Sequence, residues 1–77
     1  MMTAQQRRDA RSVLVKIKND HKSYRHLSRA LSKEIGKSIT YQAIHLWYKS
    51  GVVPAARVPA LARLGDVQLE SLRPDLF

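Results

Sequence analysis

At 77 residues the chain lies near the lower limit at which one apolar core holds a fold unaided, and without cysteine it has neither disulfide staples nor a thiolate site. No run is apolar enough for a signal peptide or a membrane span, so a single domain over residues 1–77, soluble and cytoplasmic, is expected. Residues 1–49 carry eleven Lys and Arg against three Asp and Glu and residues 50–77 carry three of each, so the whole formal charge of +8 lies in the N-terminal part and points to a polyanion, nucleic acid being the commonest for a small basic domain.

The first helix is expected from Ala4 to about Asn19. Thr3 and Gln6 have the spacing of a capping box, in which each side chain bonds the other residue's backbone amide. Ala10, Val13, Leu14 and Ile17 recur at three and four and form one stripe, with Arg7, Arg8, Arg11, Lys16 and Lys18 on the remaining, solvated sides. "NDHKS" then leads to Ser23 as N-cap of a second helix through Ile35. Leu27, Ala30, Leu31 and Ile35 are its buried stripe. Arg25, Arg29 and Lys33 form a basic ridge at i, i+4 and i+8, which either meets phosphates or is bathed in solvent.

Gly36 ends the second helix, and a third is expected from Thr40 as N-cap to Ser50, closed by Gly51 in the left-handed conformation. At 100° per residue, Ala43, Ile44 and Trp47 share one arc, while Gln42, His45, Leu46 and Lys49 share the opposite one with Tyr41 at its margin. The first arc is suited to packing and the second to hydrogen bonding with base edges. A fourth helix should cover about Ala55 to Leu64, its regular part beginning near Arg57 because Pro59 cannot sit deep inside a helix. Gly65 is expected to stop it, and Asp66 to cap a last short turn carrying Val67, Leu69 and Leu72, with Pro74 preventing extension.

Two helices joined by a short Gly-containing connection, the second displaying polar side chains outward, read as a helix-turn-helix unit whose crossing is fixed by Leu31, Ile35, Ile39, Ile44 and Trp47. Through "ITYQAIHLW", "VVPAARVPAL" and "ESLRPDLF", residues 31–77 resemble the phage-encoded Cro-like repressors, and among them the YdaS-type group of small helix-turn-helix regulators. The resemblance implies an all-α, lambda-repressor-like fold of four to five short helices. It also implies a cytoplasmic, nucleoid-associated homodimer that binds double-stranded DNA at a pseudo-palindromic operator and represses by occluding a promoter.

Carried over, Thr40, Tyr41, Gln42 and His45 take base-facing positions, and Lys49 lies at the distal end of the helix near the DNA backbone. Gln42 has the geometry to bond adenine at N6 and N7, and His45 can donate to guanine or to a phosphate. Lys37 and Ser38 precede a helix N-terminus, which favours phosphate; Arg57 and Arg29 are further phosphate candidates. Three features depart from the family's pattern. The connection after Gly36 is longer by Lys37 and Ser38, and Ser32 stands where the family commonly has Ala. Leu46 is apolar on the DNA-facing arc, where it either touches a thymine methyl or tucks beside the helix.

Two other functions stay open on these residues: an antitoxin of the same fold that also binds a toxin protein, and a non-specific binder of nucleic acid or of membrane surfaces. The polar arc of the third helix disfavours a membrane. No carboxylate pair, Gly-rich phosphate loop or Ser, His and Asp set suggests catalysis, and His21, His26 and His45 lack metal-ligand spacing, so no enzyme, cofactor or metal is expected. Val58, Leu61, Leu64, Leu69, Leu72, Leu76 and Phe77 exceed what so small a unit is expected to cover. Some of them either meet a second copy or fold back over their own core.

Overall fold

The computed structural model describes residues 2–77. The fold is all-α: α1 spans Ala4–Asp20, α2 Tyr24–Ile35, α3 Tyr41–Ser50, α4 Val58–Gly65 and α5 Leu69–Leu72, with a 3-10 turn at Ala55–Arg57 leading into α4. No strand occurs among the described residues.

Local chemistry sets the helix ends. Thr3 Oγ1 accepts from the Gln6 amide at 3.1 Å and Gln6 Oε1 accepts from the Thr3 amide at 2.9 Å, which completes the capping box. Ser23 Oγ accepts from His26 N and Thr40 Oγ1 from Ala43 N, each at 3.2 Å, so α2 and α3 are capped by the expected residues. Gly36 and Gly51 close those helices at φ +80° and +73°, where a side chain would clash with its own backbone. Pro59 falls in the first turn of α4, where no amide donor is missed, and the tighter 3-10 turn takes up the residues before it.

One apolar cluster draws on all five α-helices: Leu14 and Ile17 from α1, Leu27 and Leu31 from α2, Ile44 from α3, Val58 and Leu61 from α4 and Leu72 from α5, with Val53 from the connection between α3 and α4. Each of these is essentially inaccessible to water, a burial that stabilises by roughly 1.5–3 kcal/mol per side chain. Ile35, Ile39, Trp47, Leu64 and Leu69 pack around them, half-buried. His21, after the last turn of α1, adds a polar tie by donating Nε2–H to the Leu64 carbonyl at 3.2 Å.

The C-terminal third departs from expectation in three respects. Gly65 does not stop α4: it is the last helical residue, buried against α1, where a Cβ would lie 2.7 Å from Ile17 Cδ1. Asp66 does not cap the following turn; it takes the left-handed position that ends α4, at φ +52°, and Gln68 precedes α5 without a side-chain cap. Most of the apolar residues expected in excess are core of their own chain, since Val58, Leu61 and Leu72 are fully buried and Leu64 and Leu69 half-buried; only Leu76 and Phe77 remain exposed.

Candidate nucleic-acid interface

α3 is held from beneath and at both ends. Ile44 is fully buried and Trp47 packs against the same core, so the helix lies with its Ala43, Ile44 and Trp47 arc inward. At its start, the connection from α2 is clasped by Ser32: the hydroxyl donates to the Ile39 carbonyl at 3.2 Å and accepts from the Ile39 amide at 2.8 Å. At its end, Arg11 of α1 donates from Nε to the Tyr48 carbonyl and from Nη2 to the Lys49 carbonyl, both at 3.1 Å. This gives the Lys49 carbonyl a donor, adds a second donor to the Tyr48 carbonyl, which also accepts from the Gly51 amide at 3.2 Å, and sets a cation on the negative pole of the helix dipole. Gly51 lets α1 come close, because a Cβ there would stand 2.7 Å from Arg7 Cβ. Arg7 is half-buried beside it, and its Nε is buried without a partner among the described residues.

The outward arc of α3 displays Gln42, His45, Leu46 and Lys49, all exposed, and Leu46 at 63% exposure does not tuck beside its helix. Two aromatic arrangements border this face. Arg25 of α2 lies over the Tyr41 ring, 4.7 Å from its centroid, in a cation–π contact, and its Nη2 donates to the Tyr41 hydroxyl at 3.5 Å. Tyr24, His45 and Tyr48 form a three-ring cluster across α2 and α3 with centroids 5.6 to 6.4 Å apart, and Lys18 of α1 sits 5.4 Å over the Tyr24 ring. Burial, and secondarily the neighbouring Tyr48, raises the Tyr24 pKa above its ordinary value, so the phenol stays neutral throughout the physiological range. His45 packs against both tyrosine rings and remains exposed.

Of the other residues singled out, Thr40 caps α3 and is exposed, Tyr41 is half-buried beneath Arg25, and Lys37 and Ser38 are exposed in the connection just before it. Arg29 is exposed on α2 with Arg25 and Lys33. These residues belong to α2, α3 and the connection between them, and α2 packs directly on α3. Arg57 stands apart, half-buried at the end of the 3-10 turn, and no hydrogen bond joins it to α2 or α3 among the described residues. Among those residues no group of His, Cys, Asp or Glu is arranged to hold a metal ion.

Arg11, Tyr24 and Tyr48 join the site without having been expected there, and Ser32, noted in the sequence only as standing in place of an alanine, holds Ile39 seven residues on. The spacing of His45 and Tyr48, three apart on one helix, hints at their contact; Arg11 and Tyr24 act across elements distant in sequence, and no local pattern announces them.

No family model, no curated protein and no solved structure matches the chain. The resemblance to Cro-like repressors therefore rests only on the residues quoted for it.

Proposed function

We propose that the chain is a sequence-specific, double-stranded DNA-binding repressor of the Cro type, in which α2 and α3 act as a helix-turn-helix unit and α3 enters the major groove. The observation that carries this reading is the exposed arc of α3. Gln42, His45 and Lys49 are exposed on a helix fixed at both ends, their side chains making no hydrogen bond among the described residues, and Leu46 is exposed among them as a partner for a thymine methyl. Arg29, Lys33 and Lys37 are exposed on α2 and the connection, with no ion pair among the described residues, as phosphate contacts require. In this reading Gln42 and His45 read bases, while Arg25, Arg29, Lys37, Ser38 and Lys49 hold the backbone.

A homodimer on a pseudo-palindromic operator completes the proposal, and the exposed Leu76 and Phe77 offer the apolar surface for it. Selection of bound duplexes from a random pool tests it: a palindromic consensus is expected, and absence of any enriched sequence overturns it. With five or six phosphates neutralised, the logarithm of affinity should fall against the logarithm of salt with a slope of about −5; a slope near zero excludes DNA as the partner.

A further inference from the structure

We infer that the cleft between α1 and the C-terminal half of α3 is a second site, built for a nucleobase carrying a phosphate, which borders the base-reading arc of α3 at His45 and does not include Gln42. The cleft has a volume of about 420 Å³ and is lined by Arg8, Arg11, Ser12, Val15 and Tyr48. That size lies within the range of small-ligand sites, roughly 300–1,000 Å³. Its composition is divided in the way such a ligand requires. Val15 and the half-buried Tyr48 line it and supply apolar surface, against which a planar base loses water. Arg8 supplies an exposed guanidinium with no ion pair among the described residues. Arg11 is anchored through Nε and Nη2 to the end of α3, so its position is fixed before any ligand arrives. Ser12 donates its hydroxyl to the Arg8 carbonyl at 3.2 Å, which leaves the oxygen's lone pairs available to a base N–H. No carboxylate lines the cleft to repel an anion. A bare anion would leave the apolar walls unused, and an uncharged ring would leave Arg8 unpaired.

The surface continues past Tyr48 to His45 and Tyr24, with Lys18 over the latter, so three adjoining rings are flanked at both ends by cations of α1. Base-phosphate chemistry of this kind comes either from a free nucleotide or from a single strand.

Titrating the isotope-labelled full chain with thymidine 5′-monophosphate, followed by amide NMR shifts, tests the site. Saturable shifts are expected at Arg8, Arg11, Ser12, Val15 and Tyr48, with a Kd of order 1 mM, while thymidine and inorganic phosphate each bind at least about ten-fold more weakly. Arg8→Gln, at an exposed position, should weaken the nucleotide about ten-fold at an unchanged melting temperature. Gln42→Ala should leave nucleotide binding intact even as it alters any duplex preference, so the cleft and the α3 reading succeed or fail independently. An eight-residue oligothymidylate that binds more tightly than the mononucleotide identifies a single strand as the source; equal affinity identifies the free nucleotide. Shifts scattered over all the basic residues, shifts reproduced by inorganic phosphate at the same concentration, or loss of binding in the Gln42 variant would overturn the proposal.

Discussion

Ser32 is half-buried, and its hydroxyl makes both bonds that hold Ile39, and with it the path of the connection into α3. In Ser32→Ala the half-buried Ile39 amide and carbonyl lose their partner together, which should cost about 1–3 kcal/mol in denaturant unfolding; an unchanged midpoint would mean that the connection finds its path without the clasp. Gly65 and Gly36 make a contrasting pair. Alanine at Gly65 drives a Cβ into Ile17, so overpacking should cost about 1–3 kcal/mol, whereas alanine at Gly36 meets open space and suffers only its φ of +80°, about 1–2 kcal/mol. The contrast should show as coupling: Ile17→Ala, which removes the Cγ1 and Cδ1 that the new Cβ meets, ought to cost less in the Gly65→Ala background than alone, and the same in the Gly36→Ala background. The caps at Thr3, Ser23 and Thr40 were legible because a cap bonds an amide three residues away. Ser32 and Gly65 were not, because what they touch lies across a turn or on another helix, and in a sequence a glycine that permits close packing looks the same as one that ends a helix.

At the scale of elements, α3 is the case where periodicity worked best. Rotation by 100° per residue separates Ile44 and Trp47 from Gln42, His45 and Lys49 before any coordinates exist, and the observed burial follows that division. What periodicity cannot show is how the helix is clamped, since Arg11 reads on α1 as one more surface cation although it fastens the end of α3. Under the proposed function this division becomes a difference in binding behaviour. Gln42→Ala and His45→Ala should each flatten base preference by about 1–3 kcal/mol at one operator position, while Arg29→Ala and Lys49→Ala should weaken all duplexes alike and reduce the salt slope by about one each. Competition between operator and scrambled duplexes for each variant measures both effects; retained base preference in the Gln42 variant would show that a different side chain of the arc faces the bases.

Across the whole molecule, charge and apolar surface are segregated: the N-terminal 49 residues hold the entire +8, and the neutral remainder ends in a tail that is tied down and yet apolar. Arg73 donates from Nε and Nη2 to the two Asp75 carboxylate oxygens at 2.9 and 2.8 Å, and from Nη1 to the Val53 carbonyl at 2.8 Å. The hydrogen bonds from Arg73 hold the Asp75 carboxyl below the usual carboxylate range. Because the folded-state pKa is the lower one, the clasp stabilises fully above the unfolded value of about 4 and is lost as pH falls through the folded value. Asp75→Asn should therefore lower the melting temperature at pH 7 and flatten its decline below about pH 4, so that the two proteins converge in acid; parallel curves would show that the clasp contributes nothing. Glu34→Gln, which breaks the exposed pair with Arg63, should cost less than about 1 kcal/mol. The clasp matters because Leu76 and Phe77 follow it, at 50% and 47% exposure, and both their amides donate back to the Arg73 carbonyl. Two large apolar side chains are thus held in fixed positions in water, which costs solvation without benefit to one copy. Two molecules of charge +8 repel most through the basic N-terminal part, so under the proposed function a second copy approaches through the neutral C-terminal part, where Leu76 and Phe77 are exposed. Under the proposed function, a two-fold through this tail must set the two α3 helices about 34 Å apart, one turn of DNA. Leu76→Ser combined with Phe77→Ser leaves Arg73, Asp75 and the buried Leu72 in place, so the chain should fold with an unchanged melting temperature. Its mass in solution with operator duplex should be that of a monomeric complex, with affinity for the full operator reduced about a hundred-fold or more by the loss of avidity. A double variant that still binds as a dimer places the two-fold elsewhere, and one that melts earlier assigns these side chains to the core.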